Sequence, residues 1–129
     1  MATKPSFAPQ LAIPHGVTDI SFYIKALGAV ELRRFSNDDG SIHVSELSID
    51  GTIFHLHEET ERTAVLCPDT TKATTVTIGL FVDDVHAVME AAKQAGAKIA
   101  SEVTDWDYGY RQGDFIDPFG HRWMIEKVI

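Results

Sequence analysis

The spacing of apolar positions changes several times along the 129-residue chain, and each change marks an element boundary. Residues 10–13 are a short apolar run stopped by Pro14, which predicts an edge strand. Thr18 or Asp19 can cap a helix that carries Ile20, Tyr23, Ile24 and Leu27 on one face and ends at Gly28. Residues 29–35 return to an extended pattern, and Asn37-Asp38-Asp39-Gly40 turns the chain into a strand over residues 41–49. Asp50-Gly51 is a two-residue hairpin turn, with residues 52–58 as the returning strand. The first half therefore reads β-α-β-β-β.

Residues 59–72 are polar, contain Pro68 and hold no period, so they read as a connector. Residues 74–81 form a β-branched strand, and Asp83 or Asp84 caps a helix with Val85, Val88, Met89 and Ala92 at helical spacing, ended by Gly96. Extended segments over 98–103 and 110–116, a turn at Asp117-Pro118-Phe119-Gly120 and a last strand over 121–128 complete a second β-α-β-β-β. Ala26-Leu27-Gly28-Ala29 is echoed by Gln94-Ala95-Gly96-Ala97, and Ile49-Asp50-Gly51 by Ile116-Asp117 to Gly120. The expectation is one α+β domain over residues 1–129, built from two βαβββ modules at about 9–58 and 74–128. Neither half is large enough to bury a core alone, so each is expected to pack its sheet on the other.

Charge narrows the partners. Eleven basic against nineteen acidic residues give −8, and no basic run supplies a phosphate-binding stripe, so nucleic acid is not an expected partner. One cysteine, Cys67, excludes an internal disulfide and any cysteine-cluster zinc site. No stretch has the roughly 20 apolar residues of a membrane span, and the first residues lack a signal-type apolar run. A cytoplasmic protein is expected, with no membrane partner.

Several pieces recur in a fixed order: Phe22-Tyr23 with Leu27-Gly28-Ala29, then Glu46-Leu47 with Ile49-Asp50-Gly51, and Val82-Asp83-Asp84-Val85 leading to Gly96-Ala97. The C-terminal block adds Tyr108-Gly109, Arg111, Gly113, Asp117-Pro118-Phe119-Gly120-His121 and Trp123. In this order they resemble the vicinal-oxygen-chelate superfamily of glyoxalase I, extradiol dioxygenases and bleomycin- and fosfomycin-resistance proteins, and within it the PhnB-like branch. The resemblance implies curved sheets around a small-molecule cavity, often a homodimer with the cavity built from both modules or both chains. It also implies a divalent metal held by one inward residue from the first and last strands of each module, acting as a Lewis acid.

Carried over position by position, those four places fall at Ala8, His55, Thr77 and Met124. Only His55 is a metal donor, so no cofactor is expected, although a divalent ion at His55 and His57 is kept as a lesser alternative. His55 and His57 share one strand face, and a neutral imidazole at His55 can act as a catalytic general base. The expected ligand-binding set is Gln10, Ile53, His55, His57, Thr75, Thr77, Trp106, Tyr108, Arg111, Arg122 and Met124. Strand alternation supports the strand members; Trp106, Tyr108 and Arg111 rest on the resemblance, which puts their segment at the cavity mouth. The blander readings are an Arg111 paired with Asp105, Asp107 or Asp114, and His121 as a structural hydrogen-bonder beside its turn. His15, His43, His86 and Cys67 are given no role, and the direction of Glu46 is left undecided.

Three functions stay open on sequence. The leading one is a cup that binds, and in some settings sequesters, a small organic molecule. The second is an enzyme, either a glyoxalase-type lyase or dioxygenase with a displaced metal or a metal-free enzyme using His55. The third is a structural dimer whose cavity is filled by its own side chains.

Overall fold

A computed structural model describes residues 4–129. Strand β1 (Gln10–Ile13) leads to helix α1 (Ser21–Leu27), and β2 (Val30–Ser36), β3 (Ile42–Ile49) and β4 (Thr52–Glu58) complete a four-stranded sheet in the order β1-β4-β3-β2. The connector carries a 3-10 turn (Glu61–Thr63) and a one-turn helix, α2 (Pro68–Thr71). The second sheet then forms from β5 (Thr77–Phe81), β6 (Lys98–Asp105), β7 (Tyr110–Ile116) and β8 (Arg122–Val128), with α3 (Val85–Gln94) between β5 and β6. Its order is β5-β8-β7-β6, the same connectivity as the first. The fold is α+β with two βαβββ modules, as the element order predicts.

Local chemistry explains most boundaries. Asp84 caps α3 by accepting the Ala87 N–H at 3.0 Å. Asp50 and Gly51 both have positive φ, 49° and 89°, the pair that a tight β3–β4 hairpin demands. Three expectations need correction. Helix α1 starts at Ser21 with Ile20 in the cap position, and Asp19 serves only by accepting the Ser21 N–H at 2.9 Å. Its buried stripe is Phe22, Tyr23, Ala26 and Leu27, while Ile24 is 46% exposed, because a two-turn helix lying on the core presents paired i, i+4 rows on one side only. Strand β5 begins at Thr77 rather than residue 74, since the Thr74 hydroxyl turns back on Val76, donating to its carbonyl at 3.2 Å and accepting its N–H at 3.4 Å.

The core lies where the helix-bearing faces of the two sheets meet. Phe54 of β4 stands edge-on to Trp123 of β8 with ring centres 5.7 Å apart, and Phe22 reaches Phe115 of β7 at 5.7 Å. Helices α1 and α3 pack on each other, and α3 covers β6, β7 and β8. Asp117, 4% exposed, ties the halves together. Its carboxylate accepts the Tyr23 hydroxyl at 2.7 Å, the Trp123 indole N–H at 3.0 Å, and the backbone N–H groups of Phe119 at 2.9 Å and His121 at 3.0 Å. Burial, and then the adjacent Asp117 charge, push the Tyr23 phenol well above its ordinary range. His121 adds a second tie by donating Nε2–H to the Ala12 carbonyl at 2.7 Å.

Replacing Asp117 by Asn is expected to cost about 1–3 kcal/mol, because the amide turns a donor towards buried donors. Urea unfolding at pH 7 measures it, and an unchanged midpoint would show that the hub is not needed.

Candidate functional site

Alternation along β4 sends Phe54 and Leu56 into the core and leaves Ile53, His55 and His57 on the opposite face. Along β8, Trp123 and Ile125 are buried, while Arg122 and Met124 stand on the opposite face. Within one chain, the predicted ligand residues therefore do not sit between the two sheets, which bury their other sides together. Those of β4 and β8 lie on two outward faces.

On the first face, Gln10 pairs in register with His55, and His55 with Glu46 across β3. The side chains of the last two meet, His55 Nε2 lying 3.1 Å from Glu46 Oε2, which settles the direction of Glu46. With Nε2–H given to that carboxylate, Nδ1 of His55 is left buried without a hydrogen-bond partner. His57 Nδ1 donates to the Glu58 carbonyl at 2.6 Å, and its ring lies 4.9 Å from that of His43.

Two histidines given no role in sequence do have a partner. Nδ1 of His15 and of His43 approach the two oxygens of Glu58 at 3.0 and 2.8 Å, and Asn37 Nδ2 donates to the same carboxylate. Forty-three residues separate His15 from Glu58, so only the parallel β1–β4 pairing brings them together. His43, and after it His15, hold the Glu58 carboxyl below its ordinary range.

On the second face, Arg122 donates Nε–H to Asp114 at 2.9 Å. Gln112 donates to Glu126 at 3.0 Å and accepts the Tyr108 hydroxyl at 2.9 Å. Arg111 is claimed by Asp105 through bonds of 2.6 and 3.0 Å, the blander of its two readings, and this bond raises the guanidinium pKa and lowers that of the carboxyl. Trp106 and Tyr108 stack with centres 6.0 Å apart on the exposed β6–β7 turn.

A groove of about 1110 Å³ runs between the unpaired edges of β1 and β5 and under the connector. Leu11, Ala12, Val65, Leu66, Val76 and Ile78 give it apolar walls, with Gln10, Thr75 and Thr77 as polar members. Of the eleven predicted ligand residues, these last three line the groove. Ile53, His55 and His57 lie on the first face, Arg122 and Met124 on the second, and Trp106, Tyr108 and Arg111 on or beside the exposed turn. Gln10 and Thr77 join the groove to both faces, since Gln10 shares a register line with His55 and Thr77 with Arg122. Cys67, between the groove-lining Leu66 and Pro68, is itself buried, donating its thiol to the Phe119 carbonyl at 3.0 Å, and burial pushes its pKa up to about 11. That thiol is no nucleophile at neutral pH.

Comparison with known proteins agrees with this architecture. The family model described as the glyoxalase/bleomycin resistance protein/dioxygenase superfamily matches residues 18–125. The chain belongs to that superfamily. It is 34% identical to the uncharacterized protein Mb0911c of Mycobacterium bovis, covering 98% of this chain and 85% of that one. The structure of the Arabidopsis thaliana gene product AT5G48480 superposes with a TM-score of 0.73 at 26% identity, covering 97% and 100%. The fosfomycin resistance protein FosX from Mesorhizobium loti gives 0.70 at 9% identity, covering 99% and 95%, a likeness of fold alone.

The metal that the superfamily fold implies does not fit the residues present. At the four carried-over positions, Ala8 and Met124 offer no hard donor, Thr77 offers only a neutral hydroxyl, and His55 Nε2 already faces Glu46. Among the described residues, no group of three His, Cys, Asp or Glu side chains is arranged to hold a metal ion, and in the His15–His43–Glu58 cluster both Nδ1 atoms are already turned to the carboxylate. None of those residues forms a helix long and apolar enough to cross a membrane.

Because the folded Glu58 carboxyl titrates below its ordinary 4.5, the histidine cluster contributes stability above that pH and loses it as pH falls through the lowered value. Glu58→Gln is expected to remove that part of the acid sensitivity. Urea midpoints of both proteins from pH 7 down to pH 3 check it, and parallel curves would rule it out.

Proposed function

We propose that the chain is a PhnB-like, cytoplasmic member of its superfamily that binds a small organic molecule as a homodimer and without a metal. The observation that carries this reading is the apolar groove, open to faces that bear fixed polar groups. A preformed, mainly apolar cleft with a few oriented donors and acceptors is the usual architecture of a small-molecule site. The two faces turn away from the core, so a second copy laid against them would convert open surface into an enclosed cup. Sequestration of a toxic or antibiotic-like compound needs only such burial.

A second reading has its own observation. In the His55–Glu46 pair the carboxylate orients the imidazole, and the unpartnered Nδ1 is the lone pair a general base needs. A metal-free proton transfer would use it after the ring turns towards the ligand.

A thermal-shift screen of small organic compounds tests the binding reading, with Thr77→Trp as the blocking variant on the groove wall. Compounds that stabilise the wild type and lose that effect in Thr77→Trp are expected, while zinc, nickel, iron and manganese leave the melting temperature unchanged. Stabilisation by one of these metals that His55→Ala abolishes would overturn the metal-free reading. A substrate whose turnover falls at least about 100-fold in His55→Ala would favour the second reading.

A further inference from the structure

We propose that the second face carries a site for an organic cation, with Glu126 as its counter-ion and Phe81, Tyr110 and Tyr108 as its aromatic wall. This rests on the small-molecule reading and names the ligand's chemistry. Glu126 is only 8% exposed, yet none of the ion pairs among the described residues includes it. The arginines of this module are committed elsewhere, Arg122 to Asp114 and Arg111 to Asp105. Gln112 donates to Oε1, and no described residue donates to Oε2. That oxygen lies against Gly79, where a Cβ would come within 2.6 Å of it, so the absent side chain makes the room it occupies. Gly79 is itself part of the groove wall, which puts the unpaired oxygen beside the space assigned to the ligand.

The surroundings suit a cation. Phe81 shares a register line with Glu126 and Gln112, so all three stand on one face. The Phe81 and Tyr110 rings meet at 6.2 Å, and Tyr110 and Tyr108 at 5.7 Å. Tyr108 also holds Gln112 through its hydroxyl, which fixes the amide that orients the carboxylate. Phe81 is 59% exposed and Tyr108 61%, leaving ring surface for a ligand. Aromatic faces and an uncompensated carboxylate together select an ammonium-type group over a neutral or anionic one, and the net charge of −8 favours its approach.

Calorimetric titration of the full chain at pH 7 with benzylammonium, benzyl alcohol and benzoate tests this. Benzylammonium is expected to bind at least about tenfold more tightly than the other two, and Glu126→Gln to remove that preference. Phe81→Leu, at an exposed position, is expected to weaken benzylammonium without changing the melting temperature, and Gly79→Ala to weaken it by displacing Oε2. Equal affinity for benzyl alcohol or benzoate, an unaltered preference in Glu126→Gln, or no benzylammonium binding at all would overturn the cation site. The small-molecule reading fails separately, when no compound of any charge shows stabilisation that Thr77→Trp removes.

Discussion

The carboxylate of Asp117 is the point on which the two halves agree. It sits in a turn of the second module and gathers two backbone N–H groups of that turn, the indole of Trp123, and the hydroxyl of Tyr23 from the first module. A buried carboxylate is costly unless its lone pairs are used, and here four donors use them. The arrangement fixes the turn before β8, the tilt of Trp123 and the position of α1 at once. Through Trp123 it also sets how Phe54 and Phe115 pack, and therefore which side of each sheet becomes core.

That choice of side decides where chemistry can happen. Since the aromatic core takes one face of β4 and β8, the alternate residues are turned outwards onto the two open faces. The groove exists because β1 and β5 each pair on one edge only, with β4 and β8, and leave the other edge free. Unpaired strand edges invite partners, and the connector shields this pair by folding over it. Glu59 anchors the connector by accepting the Cys67 N–H at 3.0 Å, and the Cys67 thiol then reaches the turn at Phe119. The same turn thus organises core, connector and groove.

Of the four positions carried over from the superfamily, only His55 is a metal donor. A superfold hosts many chemistries, so membership fixes the frame and leaves the site to particular side chains. Here those side chains are a histidine held by a carboxylate on one face and a carboxylate without a counter-ion on the other. Neither brings three metal donors together among the described residues.

Period and turn chemistry are local, so the sequence alone determined the order of elements, the Asp50-Gly51 hairpin, the doubled module and the turn that starts at Asp117, and it offered Asp83 or Asp84 as the cap of α3, between which the fold chose Asp84. It also determined that Ala8, Thr77 and Met124 cannot act as strong metal ligands, because that is a property of their side chains. Tertiary structure decided what depends on residues far apart in the chain. His15 and His43 found Glu58 through strand pairing, Arg111 chose Asp105 among three acids, and Ile24 lost its place in the core to Phe22. Alternation placed His55 and His57 on one face, but only the packing of Phe54 against Trp123 decided that this face looks outwards. Glu126 was not among the expected ligand residues, and its lack of a counter-ion was settled only when Asp114 and Asp105 took the arginines of its module.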